Sequence, residues 1–408
     1  MPTETPARPR HRSGRPLRVL KIAPTSFFAD YGCHVRILEE THAIQRLGAR
    51  VRLCAYPGGR DLPGVEVRRV RGTPWSDEVR VGSSYHRFYL DALLGAWALK
   101  HSLAFRPDVL HAHLHEGAFL AGPIAAALRV PLVFDFQGSL TSEMLDHNFL
   151  RPRSPLLPPL RWLERRIDHH ADMVLTSSHN AAAIVERDFG VPASRVLAIP
   201  DAVNPATFRP FWSYSDEDRR EGRAALGIKP GAQVVVYLGL LAEYQGTGRL
   251  LSAAKALVES GRDVHFLLMG FPGQQTYRHT ADLLGIGHRV TFTGGIRYED
   301  APRYLALGDV AVAPKLSETE GNGKLLNYMA VGLPTVTFDT PVSHEILGPL
   351  GRYAKFGDVA SLAEELARLL DEDRRDLARA LRTRAVEQFS WENQGQRIMD
   401  VYAALLRS

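Results

Sequence analysis

The sequence predicts an α/β protein with two domains, each built on a doubly wound parallel sheet, that face each other across a central cleft. Short β-branched runs alternate with longer helical patterns over most of the 408 residues. Buried strands that are each followed by a helix are typical of parallel sheets covered on both faces. The alternation stops once, at IPDAVNPATFRP (199–210), and then starts again. This single interruption predicts two such domains joined by a proline-containing hinge.

Each predicted strand is a short run rich in branched or aromatic residues. Seven runs precede the interruption: residues 18–24, 49–56, 65–70, 108–114, 131–136, 173–178 and 195–200. Five runs follow it: residues 233–239, 263–270, 289–295, 309–315 and 334–339. Ligands of open parallel sheets bind at the carboxyl ends of the strands, so the polar residues that follow these runs are the candidates for chemistry.

Helices are predicted between the strands. In HVRILEETHAIQRLG (34–48), Val35, Leu38, Ile44 and Leu47 form an apolar stripe along one side, as in an amphipathic helix. Further helical patterns cover residues 85–106, 159–171, 215–227 and 391–407.

These elements divide the chain into four parts. We predict a first domain over residues 17–205 and a second over residues 206–390. Residues 391–408 form a C-terminal helix with no strand after it, which can dock back on the first domain. Residues 1–16, rich in proline and arginine and poor in apolar side chains, predict a disordered basic tail.

The net charge of +5 is unevenly distributed. The predicted tail holds four arginines and one glutamate, which gives +3 and leaves +2 for the rest of the chain. A nearly neutral body does not offer the broad basic face that nucleic acid requires, so we expect no nucleic-acid partner.

The two cysteines, Cys33 and Cys54, cannot form a disulfide framework or a cysteine-based metal site. A reducing compartment, and hence a cytoplasmic location, is expected. The longest uncharged runs, residues 92–99 and 117–128, are shorter than the ~20 residues that a membrane-spanning helix needs.

The stretch EGNGKLLNYMAVGLPTVTFD (320–339) directly follows a predicted strand. Asn322 is predicted to cap a helix whose first turn holds Gly323, Lys324 and Leu325. Unpaired backbone N–H groups at a helix start, together with the helix dipole and the Lys324 ammonium, form a natural anion site.

The neighbours of this helix start add features of a sugar site. Gly321 and Gly323 allow a ligand to approach the backbone closely, and Glu320 offers an acceptor for hydroxyl groups. The arrangement suits a ligand with phosphate at one end and a polyol at the other, namely a nucleotide sugar. The alternative is an ordinary capped helix with a solvated lysine.

The stretch resembles the donor-site signature of the family 4 retaining glycosyltransferases of the GT-B fold, in which a glutamate, a glycine-rich turn and a second glutamate precede Ala-Met-Ala-x-Gly-x-Pro. Further segments resemble the same family in order: residues 107–119, 171–178, 199–210, 290–314 and 340–370. The resemblance implies transfer of a sugar from a nucleoside-diphosphate sugar to an acceptor hydroxyl, with retention of configuration, in glycan, glycolipid or glycoconjugate biosynthesis. It also implies that no metal and no cofactor is needed, the nucleotide sugar being a co-substrate.

The same resemblance implies that the first domain binds the acceptor, that the second binds the donor, and that Glu320 meets the sugar. Lys324 is unusual for the family, and we assign it to the diphosphate from its place at the helix start. We expect Glu320 and Lys324 to be the catalytic residues. The ribose would meet Asn327, and the base would meet the backbone at 294–296. The implied donor-binding residues are Gly32, Gly239, Gln245, Ile296, Lys315, Gly321, Asn322, Gly323, Leu325 and Asn327.

Some positions depart from the family pattern. Asn327 stands where the family has its second glutamate, and the spacing leaves open whether Glu318 or Glu320 meets the sugar. Gln137 stands where the family has a sugar-contacting histidine. An amide can position a sugar hydroxyl but cannot transfer protons near neutral pH.

The diphosphate clamp also departs from the pattern. Leu240 and Gln245 occupy the positions of the family's arginine and lysine, so both cationic side chains are absent. Either Lys324, together with Lys315, supplies the charge instead, or donor binding is weakened or lost. We expect the first.

HAHLHEG (111–117) forms the other candidate cluster. On a strand, His111, His113 and His115 would face one way, and three imidazoles on one face could bind zinc. Neighbours on one strand rarely give tetrahedral geometry, so we predict no metal site. We expect a buried His111, with His113, His115 and Glu116 joining Gln137 at the acceptor side of the cleft.

The sequence leaves other functions open, and it also leaves open what two segments of mixed apolar and basic residues contact. The fold would also suit a nucleotide-sugar epimerase or a phosphorylase. The lost clamp would suit a catalytically silent, carbohydrate-binding partner subunit. Residues 85–106 and 149–166 mix aromatic or apolar side chains with basic ones, so either could pack on the protein or touch a membrane that holds a lipid-linked acceptor.

Overall fold

The computed structural model describes residues 14–30, 32–72, 87–146, 149–317 and 320–407. Most of the predicted basic tail (1–13), Glu318 and the first two residues of the segment 85–106 lie outside these ranges. Of the predicted tail, Arg15 is described and forms an ion pair with Asp108, with 2.6 Å between nitrogen and oxygen.

The first sheet has seven parallel strands in the order β3-β2-β1-β4-β5-β6-β7. Its strands are β1 (Arg18–Ala23), β2 (Arg50–Ala55), β3 (Val67–Arg69), β4 (Val109–His113), β5 (Leu132–Phe136), β6 (Met173–Thr176) and β7 (Val196–Ala198). The second sheet has six parallel strands in the order β10-β9-β8-β11-β12-β13. Its strands are β8 (Gln233–Leu238), β9 (Val264–Met269), β10 (Val290–Gly294), β11 (Val310–Ala313), β12 (Thr335–Phe338) and β13 (Arg352–Ala354).

Fifteen α-helices connect and cover the strands among the described residues. Those of the first half are α1 (Gly32–Arg46), α2 (Arg87–Phe105), α3 (Leu114–Leu128), α4 (Leu140–Asp146), α5 (Leu157–Asp168) and α6 (His179–Phe189). Those of the second half are α7 (Asp216–Ala225), α8 (Thr247–Glu259), α9 (Gln274–Leu283), α10 (Ala301–Leu305), α11 (Lys324–Val331), α12 (Pro341–Leu347), α13 (Val359–Asp371), α14 (Arg375–Gln388) and α15 (Trp391–Leu405).

Alternating strand residues build a doubly wound core in the first domain. Leu20 and Ile22 of β1 point to the face that α2, α3 and α5 cover, whereas Val19 points to the opposite face, which α1 and α15 cover. Ile398 and Tyr402 place α15 in that second layer, although the helix follows the second domain in the chain. Every predicted strand is present, and the predicted fold class is confirmed.

The strand order fixes the place of a ligand site. In both sheets the order reverses beside the first strand, between β1 and β4 and between β8 and β11. Such a reversal leaves a crevice at the carboxyl ends of the strands. The two crevices face each other, and an apolar cluster shared by both domains joins them, with Phe27 and Phe28 on one side and Tyr298 on the other.

Within the described parts of the chain, no helix combines the length and the apolar character that crossing a bilayer requires.

Candidate active site

A cavity of about 330 Å³ lies between the two domains, which is within the usual size range of small-molecule sites. Its walls come from residues that follow the strands at their carboxyl ends, such as Gln137 after β5, Gly239 after β8 and Lys315 after β11. Twelve of the sixteen predicted site residues line it: Gly32, Gln137, Gly239, Gln245, Ile296, Lys315, Glu320, Gly321, Asn322, Gly323, Lys324 and Asn327.

The remaining four, Leu325, His113, His115 and Glu116, are not on the cavity wall. Leu325 is fully buried, and its backbone N–H already donates to the carbonyl of Asn322 at 3.0 Å. It therefore cannot offer the free amide that was expected of it.

Helix α11 begins one residue later than predicted. Gly323, not Asn322, holds the cap position, and the cap makes no side-chain hydrogen bond. The prediction of Asn322 as the capping side chain is wrong, because its carbonyl rather than its side chain bonds to the first turn. Instead the Asn322 side-chain oxygen is buried beside the cavity without a hydrogen-bond partner. A buried acceptor of this kind is available to a ligand hydroxyl.

Lys324 places its ammonium inside the cavity. Its Nζ donates to Gln245 Oε1 at 2.7 Å and lies 4.5 Å from the centre of the Tyr237 ring. Gly239 makes room for it, because a Cβ at that position would lie 2.9 Å from Nζ. Burial and the nearby charge of Lys315 hold the pKa of Lys324 well below its ordinary value. From the sequence, we assigned Gln245 to the position of the lysine in the family's diphosphate clamp. The hydrogen bond to Gln245 therefore brings the Lys324 side chain next to that position.

The Lys315 ammonium forms an ion pair with a carboxylate of the cavity wall. Its Nζ lies 2.5 Å from Glu320 Oε2 and also donates to the carbonyl of Gly321 at 2.7 Å. The pair fixes Glu320 at the cavity wall and partly compensates the Lys315 charge. Burial lowers the pKa of Lys324, and an anion such as a phosphate beside its Nζ would raise that pKa again and favour the charged ammonium.

A second carboxyl group, which the sequence reasoning missed, faces Glu320 from the first domain. Glu143 lies on α4 and lines the cavity. A Cβ at Gly138 would clash with Glu143 Oε1 and lie 3.5 Å from Glu320 Cγ, so the two side chains meet beside this glycine. Burial and the Glu320 charge raise the pKa of Glu143 to about 8. At neutral pH this carboxyl group is therefore protonated and can donate a hydrogen bond.

Glu143→Gln is expected to make the protein's stability less sensitive to pH. The pKa of Glu143 is about 8 when folded, against an ordinary value of 4.5, so the folded state keeps a proton that the unfolded chain has lost. Stability must then fall as the pH rises from about 4.5 to about 8. Glutamine stays neutral, so the melting temperature of the variant should fall less over this range. Glu259→Gln on the surface of α8 is the control, and parallel curves for wild type and Glu143→Gln would contradict the assignment.

The histidine cluster differs from the prediction. Strand β4 ends at His113, so His115 lies on α3 and no longer faces the same way as the other two. The rings of His111 and His113 stack at 4.6 Å, whereas His115 packs edge-on against Phe134 and Phe136. The sequence pattern of alternating histidines did not show where the strand would end.

His113 and His115 are buried rather than at the cleft edge. His113 Nδ1 lies 2.9 Å from Asp135 Oδ2, and Gln137 Nε2 donates to the same carboxylate at 2.9 Å. His115 lies 3.2 Å from Asp168, and although burial opposes the charge, this carboxylate raises the pKa of His115 to about 9. The predicted direct contact of these histidines with the acceptor is therefore not available in this structure, while Gln137 is at the cavity.

Arg36 is the centre of a buried charge network that the sequence reasoning also missed. It lines the cavity and pairs with Asp135 at 2.7 Å and Asp201 at 2.9 Å. A Cβ at Gly321 would lie 2.8 Å from Asp201 Oδ2. Asp201 thus connects Arg36 of the first domain to the glycine-containing turn of the second.

Four buried residues of this network could in principle hold a metal ion. Glu40, His111, His113 and Asp135 each have one ligand atom within 4.8 Å of the others. Both carboxylates already pair with buried cations, Glu40 with Lys21 at 2.9 Å and Asp135 with Arg36. A divalent ion at this position would be repelled by two positive charges, so we interpret the four residues as a structural network.

Two Rossmann-type domains that face each other across a cavity are the architecture of the GT-B fold. Residues 31–202 match the model described as "Glycosyl transferase 4-like domain", and residues 232–372 match "Glycosyl transferases group 1". The chain therefore belongs to the family 4 glycosyltransferases of the GT-B fold, and the suspected resemblance is confirmed. The matching family models, similar sequences and similar structures give no support to an epimerase, a phosphorylase or a catalytically silent partner subunit.

Two proteins of similar sequence and one of similar structure are consistent with this assignment. The chain is 27% identical to the 2-deoxystreptamine glucosyltransferase of Streptomyces kanamyceticus, over 83% of this chain and 89% of that protein. It is 26% identical to the phosphatidyl-myo-inositol mannosyltransferase of Mycobacterium leprae, over 96% and 98%. The structure of Anabaena HepE in complex with UDP and glucose superposes with a TM-score of 0.76, at 17% identity and over 95% and 100% of the two chains. At that identity the superposition shows the shared fold.

Proposed function

We propose that this glycosyltransferase moves a hexosyl group from a nucleoside-diphosphate sugar to an acceptor hydroxyl, with retention of configuration and without a metal ion. The observation that carries the proposal is the start of α11, where Lys324 points its ammonium into a cavity lined by Gln245, Asn322 and Glu320. Retention is proposed from the resemblance of the donor-site stretch to the retaining family 4 enzymes. The structure of HepE in complex with UDP supports a nucleotide as a ligand of this chain.

The donor would lie along the wall formed by the second domain. Ile296 would meet the base and Asn327 the ribose, since both line the cavity. Lys324 and the start of α11 would hold the diphosphate, and Glu320, fixed by Lys315, would accept hydrogen bonds from the sugar.

Catalysis would then depend mainly on charge stabilisation. Breaking the bond from sugar to phosphate leaves negative charge on the departing diphosphate, and a fixed positive group in a water-poor site stabilises that charge most effectively. Lys324 supplies this charge from the chain itself, which is the basis for proposing that no metal ion is needed. Closure of the cleft would exclude water.

The acceptor would enter from the first domain. Gln137, held by Asp135, and Glu143, which carries a proton at neutral pH, are the groups on that wall suited to position a hydroxyl. The two relatives named above have a small molecule and a phosphatidyl lipid in their names, so both kinds of acceptor are candidates. A cytoplasmic location, with contact at the inner membrane face, stays a prediction.

A thermal-shift screen with nucleoside diphosphates and their sugars tests the proposal. A ligand that binds only the folded state stabilises it by ~2.7 kcal/mol at one hundred times its Kd. We expect at least one diphosphate to raise the melting temperature, and nucleosides without phosphate to raise it much less, because the proposed contacts are mainly to phosphate. No rise with any diphosphate would contradict the proposal. With the donor known, proton NMR of the product tests retention, and a rate unchanged by EDTA tests metal independence.

A further inference from the structure

Exposed apolar side chains are concentrated on one side of the first domain. Of the eleven large apolar residues that are exposed among the described residues, seven fall between residues 87 and 166. They lie on α2, α3 and α5, which cover the same face of the first sheet, and on the loop before α5. Leu156 and Trp162 are about 60% exposed and border an apolar groove along α5.

Positive charge surrounds this apolar surface. The α5 surface, defined here as residues 149–166, is described throughout, and its five arginines are all exposed: Arg151, Arg153, Arg161, Arg165 and Arg166. Its single carboxylate, Glu164, is fully buried. The charge is notable because the body of the chain is nearly neutral.

The buried side of α5 is rigidly connected to the cavity wall. Glu164 accepts hydrogen bonds from the backbone N–H and the hydroxyl of Thr141, at 3.1 and 2.6 Å. Thr141 lies in the first turn of α4, the helix that carries Glu143 to the cavity. Helix α5 is therefore separated from the proposed acceptor side of the cleft by one helix, α4.

We infer that the α5 surface docks on an anionic lipid bilayer, with Leu156 and Trp162 inserted at the interface and the arginines against lipid phosphates. Tryptophan and leucine flanked by basic residues are typical of helices that lie in a membrane interface. A second copy of the chain is a poorer occupant, because a two-fold contact would bring arginines against arginines. Nucleic acid would meet the arginines but would leave Leu156 and its groove without a partner.

This surface deepens the proposed function. A bilayer docked on α5 would present lipid-linked acceptors next to Gln137 and Glu143, so the inference favours a lipid-linked acceptor over a freely diffusing one. That link depends on the proposed function, whereas the docking itself does not.

Sedimentation of the full chain with vesicles tests the docking. We expect binding to vesicles of phosphatidylcholine mixed with an equal share of phosphatidylglycerol, little binding to phosphatidylcholine alone, and weakening by added salt. The variant Leu156→Ser/Trp162→Ser should bind at least tenfold more weakly. Arg151→Gln/Arg153→Gln/Arg161→Gln should lose roughly fivefold per arginine.

The matched control changes exposed residues of the same kinds in the second domain: Leu283→Ser with Arg220→Gln and Arg368→Gln. It should bind as the wild type does. Wild-type protein that stays in the supernatant, or α5 variants that bind unchanged, would overturn the inference. So would a wild-type dimer that Trp162→Ser converts to a monomer, since that result would assign the surface to a second copy.

Two further measurements distinguish a loss of docking from a loss of folding or of nucleotide binding. Unchanged melting temperatures would show that the exposed substitutions leave the fold intact. Calorimetry with nucleoside diphosphates should give the same affinity for the α5 variants and the wild type. A protein that binds vesicles but no nucleotide would refute the proposed function alone, and the reverse would refute the docking alone.

Discussion

Lys324→Ala is expected to lower kcat/KM for the donor at least tenfold. The substitution removes the ammonium that lies 2.7 Å from Gln245 in the cavity, and a hydrogen bond between charged groups contributes about 1.5–3 kcal/mol. This corresponds to a factor of ten or more at 1.4 kcal/mol per decade. The loss should appear in kcat as well as in KM, because the diphosphate gains charge as it leaves.

Lys255→Ala is the matched control for this variant. Lys255 lies on α8 in the same domain, pairs with Glu259 at 3.6 Å on the surface and does not line the cavity. It should leave both kinetic constants unchanged. Equal rates for Lys324→Ala and the wild type would remove Lys324 from its assigned role.

Arg36→Met is expected to destabilise the protein by about 3–5 kcal/mol, the usual cost of removing one partner from a buried ion pair. Arg36 is 4% exposed and pairs with Asp135 and Asp201. Although burial opposes ionisation, Arg36 and His113 hold the pKa of Asp135 well below its usual value. Without the guanidinium, that carboxylate is a buried charge that has lost the cation it pairs with at 2.7 Å.

Denaturant unfolding measures this effect, and a double variant tests its cause. Arg36→Met/Asp135→Asn removes the guanidinium and a carboxylate together, so it should be more stable than Arg36→Met alone. Arg262→Met, which breaks the exposed pair with Asp371, should leave the unfolding midpoint nearly unchanged. If Arg36→Met unfolds at the wild-type midpoint, the buried charge network does not contribute measurably to the stability of the protein.

The fold could be predicted from the sequence because its signal is local and repeated. Every predicted strand is present, since each is a short apolar run that a buried parallel strand requires. Strand β13 was missed because its sequence, Arg-Tyr-Ala (352–354), contains no β-branched residue to indicate a buried strand. The docking of α15 on the first domain was predicted because no strand follows that helix, but the residues that it contacts are far away in sequence and no local pattern encodes them.

The candidate site could be predicted only where it is contiguous in sequence. Most of the donor side comes from one turn and one helix start, so its glycines, lysine and glutamate were found together. Glu143 lies on α4, Arg36 on α1 and Asp201 in the loop after β7, and only the strand order brings them to the cavity. Asp201 follows the carboxyl end of β7, which is a signal for a site residue, yet this signal does not distinguish a site residue from an ordinary loop residue. Glu143 lies inside α4, where no such signal exists.

A crystal structure with a bound nucleoside diphosphate tests the central claim most directly. The diphosphate should lie at the first turn of α11 with a phosphate oxygen within hydrogen-bond distance of Lys324 Nζ. Density for the nucleotide elsewhere, or a Lys324 side chain turned away from it toward solvent, would contradict the account.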